Sequence, residues 1–300
     1  MATTAILSQD DVEKILKGII IPSPPQIIAD LQMEMAMPDP DLNDMARLIS
    51  KDVGLSGSVL KTINSSFYGG RGADSISHAV MMLGMSTVIN IVNTLYLRES
   101  TRLKDMTDEM FTALNNFWDS ATDVARICLL VSQRIRFHHA DTAYMLGLFH
   151  NAGIPLMMQR FDHFPNIMVD AYASQIGRVV DVENKLLQSN HAVLSFYVAR
   201  SWKLPEVLCN VIAQHHNGVE IFTTGTSTFI PEEKQYLAIL KVAEHITSLY
   251  RVLGNQEEDL EWQEIGPNVL EYLGISEFDF EDIVACAADM GIGGQSYIYS

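Results

Sequence analysis

The chain is short of positive charge, short of cysteine, and without a long apolar run. Twenty Lys and Arg stand against 37 Asp and Glu, a formal net charge of −17. Such a surface repels phosphate backbones, so direct nucleic-acid binding needs a local basic patch. The densest basic stretch, residues 98–104, holds three such residues, which is no patch. The same field disfavours a free phosphorylated substrate. No apolar run approaches the ~18–20 residues of a membrane span. The longest candidate, residues 80–97, is interrupted by Gly84, Asn90 and Asn93 and reads as a buried helix, so no membrane partner is expected. The first ten residues have no basic stretch before an apolar core and do not read as a secretory signal. Cys128, Cys209 and Cys286 lie far apart in apolar, helix-like segments and read as reduced core residues of a cytoplasmic protein. Two catalytic signatures are also missing. Tyr68-Gly69-Gly70-Arg71-Gly72 lacks the Lys-Ser/Thr of a phosphate loop, and there is no Gly-x-Ser-x-Gly elbow.

What is present is helical. Hydrophobic residues make up 48% of the chain, ample for a buried core, and they recur at spacings of three and four with few alternating runs. Helix starts are marked by Ser8 before residues 9–16, Asp41 before residues 42–50, and Thr107 before Asp108 and Glu109. Pro205 and Pro231 stand where helices should begin. Residues 1–106 contain short helices separated by Pro-rich or Gly-rich turns. Residues 107–253 contain longer helices and most of the histidines. Residues 254–300 form an acidic extension of one or two amphipathic helices. The polar stretch 98–108 is the natural boundary between the first two blocks, and residues 218–230 read as the longest irregular loop. Met33, Met35, Met37, Met81, Met82, Met157 and Met158 fall on apolar helix faces and read mainly as core filler, although Met-rich faces also serve as binding surfaces.

Several strings together resemble the HDOD family, the HD-related output domain. They are Ile21-Pro22-Ser23-Pro24-Pro25, Asn64-Ser65-Ser66-Phe67-Tyr68-Gly69, Ser75-Ile76-Ser77-His78-Ala79-Val80 with Leu83-Gly84, Phe117-Trp118, and Leu146-Gly147-Leu148-Phe149-His150-Asn151-Ala152-Gly153. His191-Ala192, Ser201-Trp202-Lys203-Leu204-Pro205 and Gln214-His215-His216 continue the series. The resemblance spans residues 15–250. It implies an all-α fold of two helical lobes, the second HD-like, to which the pattern of residues 254–300 adds short C-terminal helices. It does not by itself imply an activity.

HD phosphohydrolases hold divalent metals on imidazoles and carboxylates, through a His-Asp-x-Gly-Lys string among others. The resemblance places the first ligand at Ser120, the His-Asp pair at His150-Asn151, later ligands at His191 and at His215 or His216, and the last acid at Glu244. The Lys position holds Ile154. Asp123, one turn after Ser120, is an alternative for the missing ligand. Asn is a weaker ligand than a carboxylate, so a dinuclear centre is electrostatically poor here. One divalent ion on His150, His191 and His215 with Glu244 stays open, since imidazole suits zinc, iron or nickel; no other cofactor is expected. Successive helical side chains diverge by about 100°, so His215 and His216 are not expected to face one site together. His138, His139, His163 and His245 read as surface or packing residues, and His78 as structural. The leading expectation is a non-catalytic signalling protein of bacterial type, acting on a protein partner in trans or sensing a small ligand such as a nucleotide. The rival is a metal-dependent phosphohydrolase with an altered ligand set.

Overall fold

A computed structural model describes residues 18–65, 72–102, 107–174, 177–224 and 229–293. The helix start at Ser8, most of the Asn64–Gly69 string and most of the Gly-rich stretch 68–72 lie outside the described residues. Those residues contain no strand, and the fold is all-α. Two compact units emerge, Pro22–Lys104, and Met1–Ile21 together with Asp105–Ser300.

The first unit contains α1 (Gln26–Met35), α2 (Leu42–Ser50), α3 (Val53–Ile63), α4 (Ile76–Leu83) and α5 (Met85–Ser100). The Asp41 carboxylate caps α2 by accepting from the Asn43 amide at 2.7 Å, and the Asp52 carboxylate caps α3 from Leu55 at 2.9 Å. Met45, Ile49, Val59, Ile63, Val80 and Val92 form the core, each worth roughly 1.5–3 kcal/mol on burial. Asn64 joins two separated backbone stretches. Its amide donates to Ala73 O at 2.9 Å and its oxygen accepts from Ala73 N at 2.7 Å.

Two expectations for this unit fail. The apolar run 80–97 is not one helix. Gly84 takes φ +79°, ψ 165°, outside the helical region, and α4 and α5 meet at a 119° bend. No single helix among the described residues is long and apolar enough to cross a membrane. The methionines are not mainly core. Met33, Met35, Met37 and Met81 are exposed, while Met157 and Met158 are buried. In α1 the buried face is set by Ile28 and Leu31, and Met33 and Met35 fall off it.

The second unit is built on the long helix α6 (Asp108–Arg134), capped by Thr107 Oγ1 at 3.2 Å from the Met110 amide. It packs against α7 (Ala140–Phe149) and α13 (Pro231–Ile246). Gly147 permits that approach, since a Cβ there would sit 2.6 Å from Ala125 Cα. Next come α8 (Ile154–Arg160), α9 (Phe164–Ala173), α10 (Val179–Leu187), α11 (His191–Ser201) and α12 (Glu206–Gln214). Pro205 and Pro231 do stand at helix starts. The segment after α12 is less irregular than expected, because Glu220–Thr224 forms a wide helical turn; residues 225–228 lie outside the described set. The unit ends with α14 (Leu249–Gly254), α15 (Leu260–Leu273) and α16 (Glu277–Asp289). Helix α15 packs on α13, and α16 on α6, so the acidic extension is part of this unit's body.

Candidate functional site

Three local devices place the His150 and His191 rings on either side of His215, at 5.3 and 5.5 Å between ring centroids. His150 follows the last turn of α7, and its Nδ1–H donates to the Gly147 carbonyl at 2.7 Å. His215 opens a tight turn (His215–Asn217) at the end of α12, and its Nδ1–H donates to the Ile212 carbonyl at 2.7 Å. His191 is the first residue of α11, whose N-cap Asn190 accepts from the Val193 amide at 2.9 Å. A helix start leaves amides unsatisfied. The Glu183 carboxylate of α10 accepts from the His191 amide at 3.2 Å and from His191 Nδ1–H at 2.8 Å. Gly153 brings these segments together. Its amide donates to Ser195 Oγ at 2.8 Å, and a Cβ there would collide with the His191 carbonyl oxygen.

The tautomers follow from these partners. A carbonyl or carboxylate only accepts, so all three histidines carry their proton on Nδ1 and keep a lone pair on Nε2. The Nε2 atoms of His150 and His215 are buried without a hydrogen bond. His191 Nε2 accepts from His216 Nε2–H at 2.9 Å. The His215 and His216 rings lie 4.2 Å apart, and both contact the His191 ring. The expectation that only one of the adjacent pair faces the site therefore fails. The regular helix stops at Gln214, and the 100° rule for an α-helix does not govern the turn that follows.

Burial disfavours the charged form of three of these rings. Desolvation pulls His150 down to about 3, and it pulls His215 and His216 well below the ordinary imidazole range. The compensating charge is Lys241. Its ammonium, almost wholly buried, lies 2.8 Å from Glu244 Oε2 and 2.9 Å from Glu261 Oε2. Burial opposes its charge, but the two carboxylates outweigh burial and hold it above the usual lysine range. One ammonium cannot neutralise two acids. Glu244 is the deeper of the two, and burial raises its carboxyl despite Lys241. Its other oxygen lies 3.5 Å from His150 Nε2.

The remaining positions named from the sequence are less suited to a metal. Ser120 Oγ and Asn151 Oδ1 are buried without hydrogen bonds, and neither carries charge. Asp123 is held by Arg126 at 3.2 Å. Ile154 is buried at the start of α8. A dinuclear hydrolytic centre does not fit these residues. Its bridging carboxylate is absent, and a fixed ammonium already holds Glu244. His78 pairs with Asp74 at 3.2 Å, His138, His139 and His163 are exposed, and His245 stacks on Trp262 at 4.5 Å. A cavity of about 520 Å³ adjoins the cluster, with Tyr172, Arg178, His216, Lys241, Glu244 and Trp262 in its wall.

The HDOD domain profile matches residues 21–218, about two thirds of the chain. The chain belongs to the HDOD family. Among its relatives is an uncharacterized protein of Treponema pallidum (strain Nichols), 28% identical over 203 residues. That match covers 66% of this chain and only 38% of the relative's length. An HDOD domain protein of unknown function from Geobacter sulfurreducens has a solved structure that superposes with a TM-score of 0.66 at 22% identity, covering 93% of each chain. A Shewanella amazonensis SB2B protein, provisionally named a phosphohydrolase, gives 0.66 at 21% identity over 94% of each chain. Likeness at these identities establishes the fold alone.

Lys241, Glu244 and Glu261 lie beyond residues 21–218, where the HDOD profile matches. Sequence reading missed Lys241, Glu183 and Glu261. Lys241 had a signal, as a charge inside the apolar run 236–243 and one turn before Glu244. Glu183 and Glu261 had none, because their partners come from other helices.

Proposed function

We propose that this HDOD protein is a regulatory module without hydrolytic activity. It senses a small ligand or ion in its HD-type site and acts on a partner protein in trans, in a bacterial cytoplasm. The supporting observation is the Lys241 ammonium set between Glu244 and Glu261. Metal-assisted hydrolysis needs a cation with an open position for water, and anionic ligands that offset its charge. Here the neutral Ser120 and Asn151 stand at two ligand positions, and the remaining acid is paired to an organic cation.

The cavity wall also argues for the class of ligand. It carries five carboxylates (Glu244, Glu258, Asp259, Glu261, Glu264) against two basic residues (Arg178, Lys241). That field favours a cation over a nucleotide phosphate. The reduced Cys128 and Cys209, both buried, suit the cytoplasm.

The test is turnover of a generic phosphodiester and of nucleotides by the full chain with Mg²⁺, Mn²⁺, Fe²⁺ or Zn²⁺ added. No rate above the metal-only background is expected. Turnover that disappears in His150→Ala and Asn151→Ala variants overturns the proposal. A thermal-shift screen of ions and nucleotides then finds the ligand class, since a ligand that binds the folded state alone raises the midpoint.

A further inference from the structure

The geometry points to one late-transition-metal ion held by three imidazoles, His191, His215 and His216, without the Glu244 carboxylate. The three ligating nitrogens lie within 4.8 Å of one another. The Nε2 atoms of His191 and His216 are 2.9 Å apart. Two nitrogens on one tetrahedral ion, at bonds of about 2.0–2.1 Å, stand about 3.3 Å apart. The cluster is thus close to a ligating arrangement already.

A second observation is independent of that spacing. His215 Nε2 is fully buried, and its lone pair has no donor. Its ring cannot turn the proton inward, because Nδ1–H is committed to Ile212 O. An unmatched buried acceptor is destabilising, and a Lewis acid removes that cost. The third observation is Glu183. A carboxylate on the outer nitrogen of a metal-binding imidazole fixes its tautomer and raises its basicity. Glu183 stands in that relation to His191, and it has no exposed surface.

Ligation requires one change within the cluster. His216 moves its proton from Nε2 to Nδ1, and two metal–nitrogen bonds replace the His216–His191 hydrogen bond. This is a proton shift within one ring, and the Nδ1–H bonds of His191 to Glu183 and of His215 to Ile212 O are kept. Glu244 stays with Lys241. A donor set of three imidazoles selects Zn²⁺, Ni²⁺ or Cu²⁺ and leaves Mg²⁺ and Ca²⁺ unbound.

This site deepens the regulatory proposal by naming the sensed species as a metal cation, but binding and hydrolysis are read separately. The experiment titrates the chelator-stripped full chain with Zn²⁺, Co²⁺ and Mg²⁺ by calorimetry. One equivalent of Zn²⁺ and none of Mg²⁺ is expected. Glu183→Gln should weaken Zn²⁺ binding about 10–100-fold, and Glu244→Gln should leave it within about threefold. His216→Ala should weaken it by at least as much as Glu183→Gln. X-ray absorption of the zinc-loaded native chain counts three imidazoles without any variant having to fold. No Zn²⁺ binding, or a spectrum of two imidazoles plus a carboxylate together with loss of binding in Glu244→Gln, overturns the inference. Zn²⁺-dependent phosphodiester turnover with the three-imidazole spectrum intact would overturn only the regulatory proposal.

Discussion

Replacing Lys241 by Met tests whether a buried ammonium organises this site. Methionine keeps an unbranched stem of similar length and removes only the charge. Lys241 is 3% exposed and sits 2.8 Å from Glu244 and 2.9 Å from Glu261. Removing one partner of a buried ion pair costs about 3–5 kcal/mol, because the surviving charge is left uncompensated. Glu244, the more buried acid, should carry most of that cost; Glu261 is 31% exposed and water screens part of it. For a unit near 200 residues, each kcal/mol moves the midpoint by about 2–4 °C, so a fall of roughly 6–20 °C is expected. The pH dependence supplies a second check. Glu244's carboxyl is raised by burial even with Lys241 present. Without Lys241 it rises further, so the penalty grows as pH climbs and shrinks once the acid is protonated. Urea unfolding followed by tryptophan fluorescence at pH 5 and pH 8 reads this directly. Trp118, Trp202 and Trp262 all belong to the second unit, so the signal reports on that unit. Adding Glu244→Gln to the variant should restore most of the loss. A deficit below about 1 kcal/mol at pH 8, or one equally large at pH 5, refutes the argument.

Three further outcomes are expected. Gly153→Ala puts a methyl group into the His191 carbonyl and should cost at least about 1–3 kcal/mol in chemical denaturation; an unchanged midpoint would mean the turn yields freely. Asn190→Ala removes the cap of α11 and should cost about 1 kcal/mol by the same measurement, with no loss meaning that the cap is dispensable. The metal-free chain should lose stability as pH falls below about 6.5. Unfolded imidazoles take up protons there, whereas His150, held near 3, does not. His150 alone removes about 2 kcal/mol by pH 5, and His215 and His216 act in the same direction. Glu244, with its raised value, opposes them in sign, since its contribution becomes more favourable as pH falls toward the ordinary carboxylate range. Three groups outweigh one, so a flat profile from pH 7.5 to pH 5 would contradict the burial of neutral imidazoles.

Much of the helical layout was legible because its signals are local. Asp41, Thr107 and Pro231 act within three residues of their own positions, and all three stand where they were read. Gly84 was visible as an interruption, but its positive φ and the 119° bend were not. The exposed faces of Met33 and Met35 were misread because periodicity locates an apolar stripe without saying which part of it finds a partner. The His215–His216 expectation failed for a related reason. It assumed a regular helix, and the chain leaves that helix at Gln214.

The amino-acid sequence by itself determined the helix starts at Asp41, Thr107, Pro205 and Pro231, the HDOD membership and the neutral residues at 120, 151 and 154. Each is a matter of residue identity or of contacts a few positions apart. Tertiary structure alone decided which nitrogen of each histidine carries the proton, that Glu183 supports His191, and that Lys241 is shared by Glu244 and Glu261. Those facts depend on distances between helices, and on the removal of water that gives such short-range electrostatic contacts their strength. The stretch around Asn151 identifies what the site lacks; the packing around Lys241 and His216 determines what it can still hold.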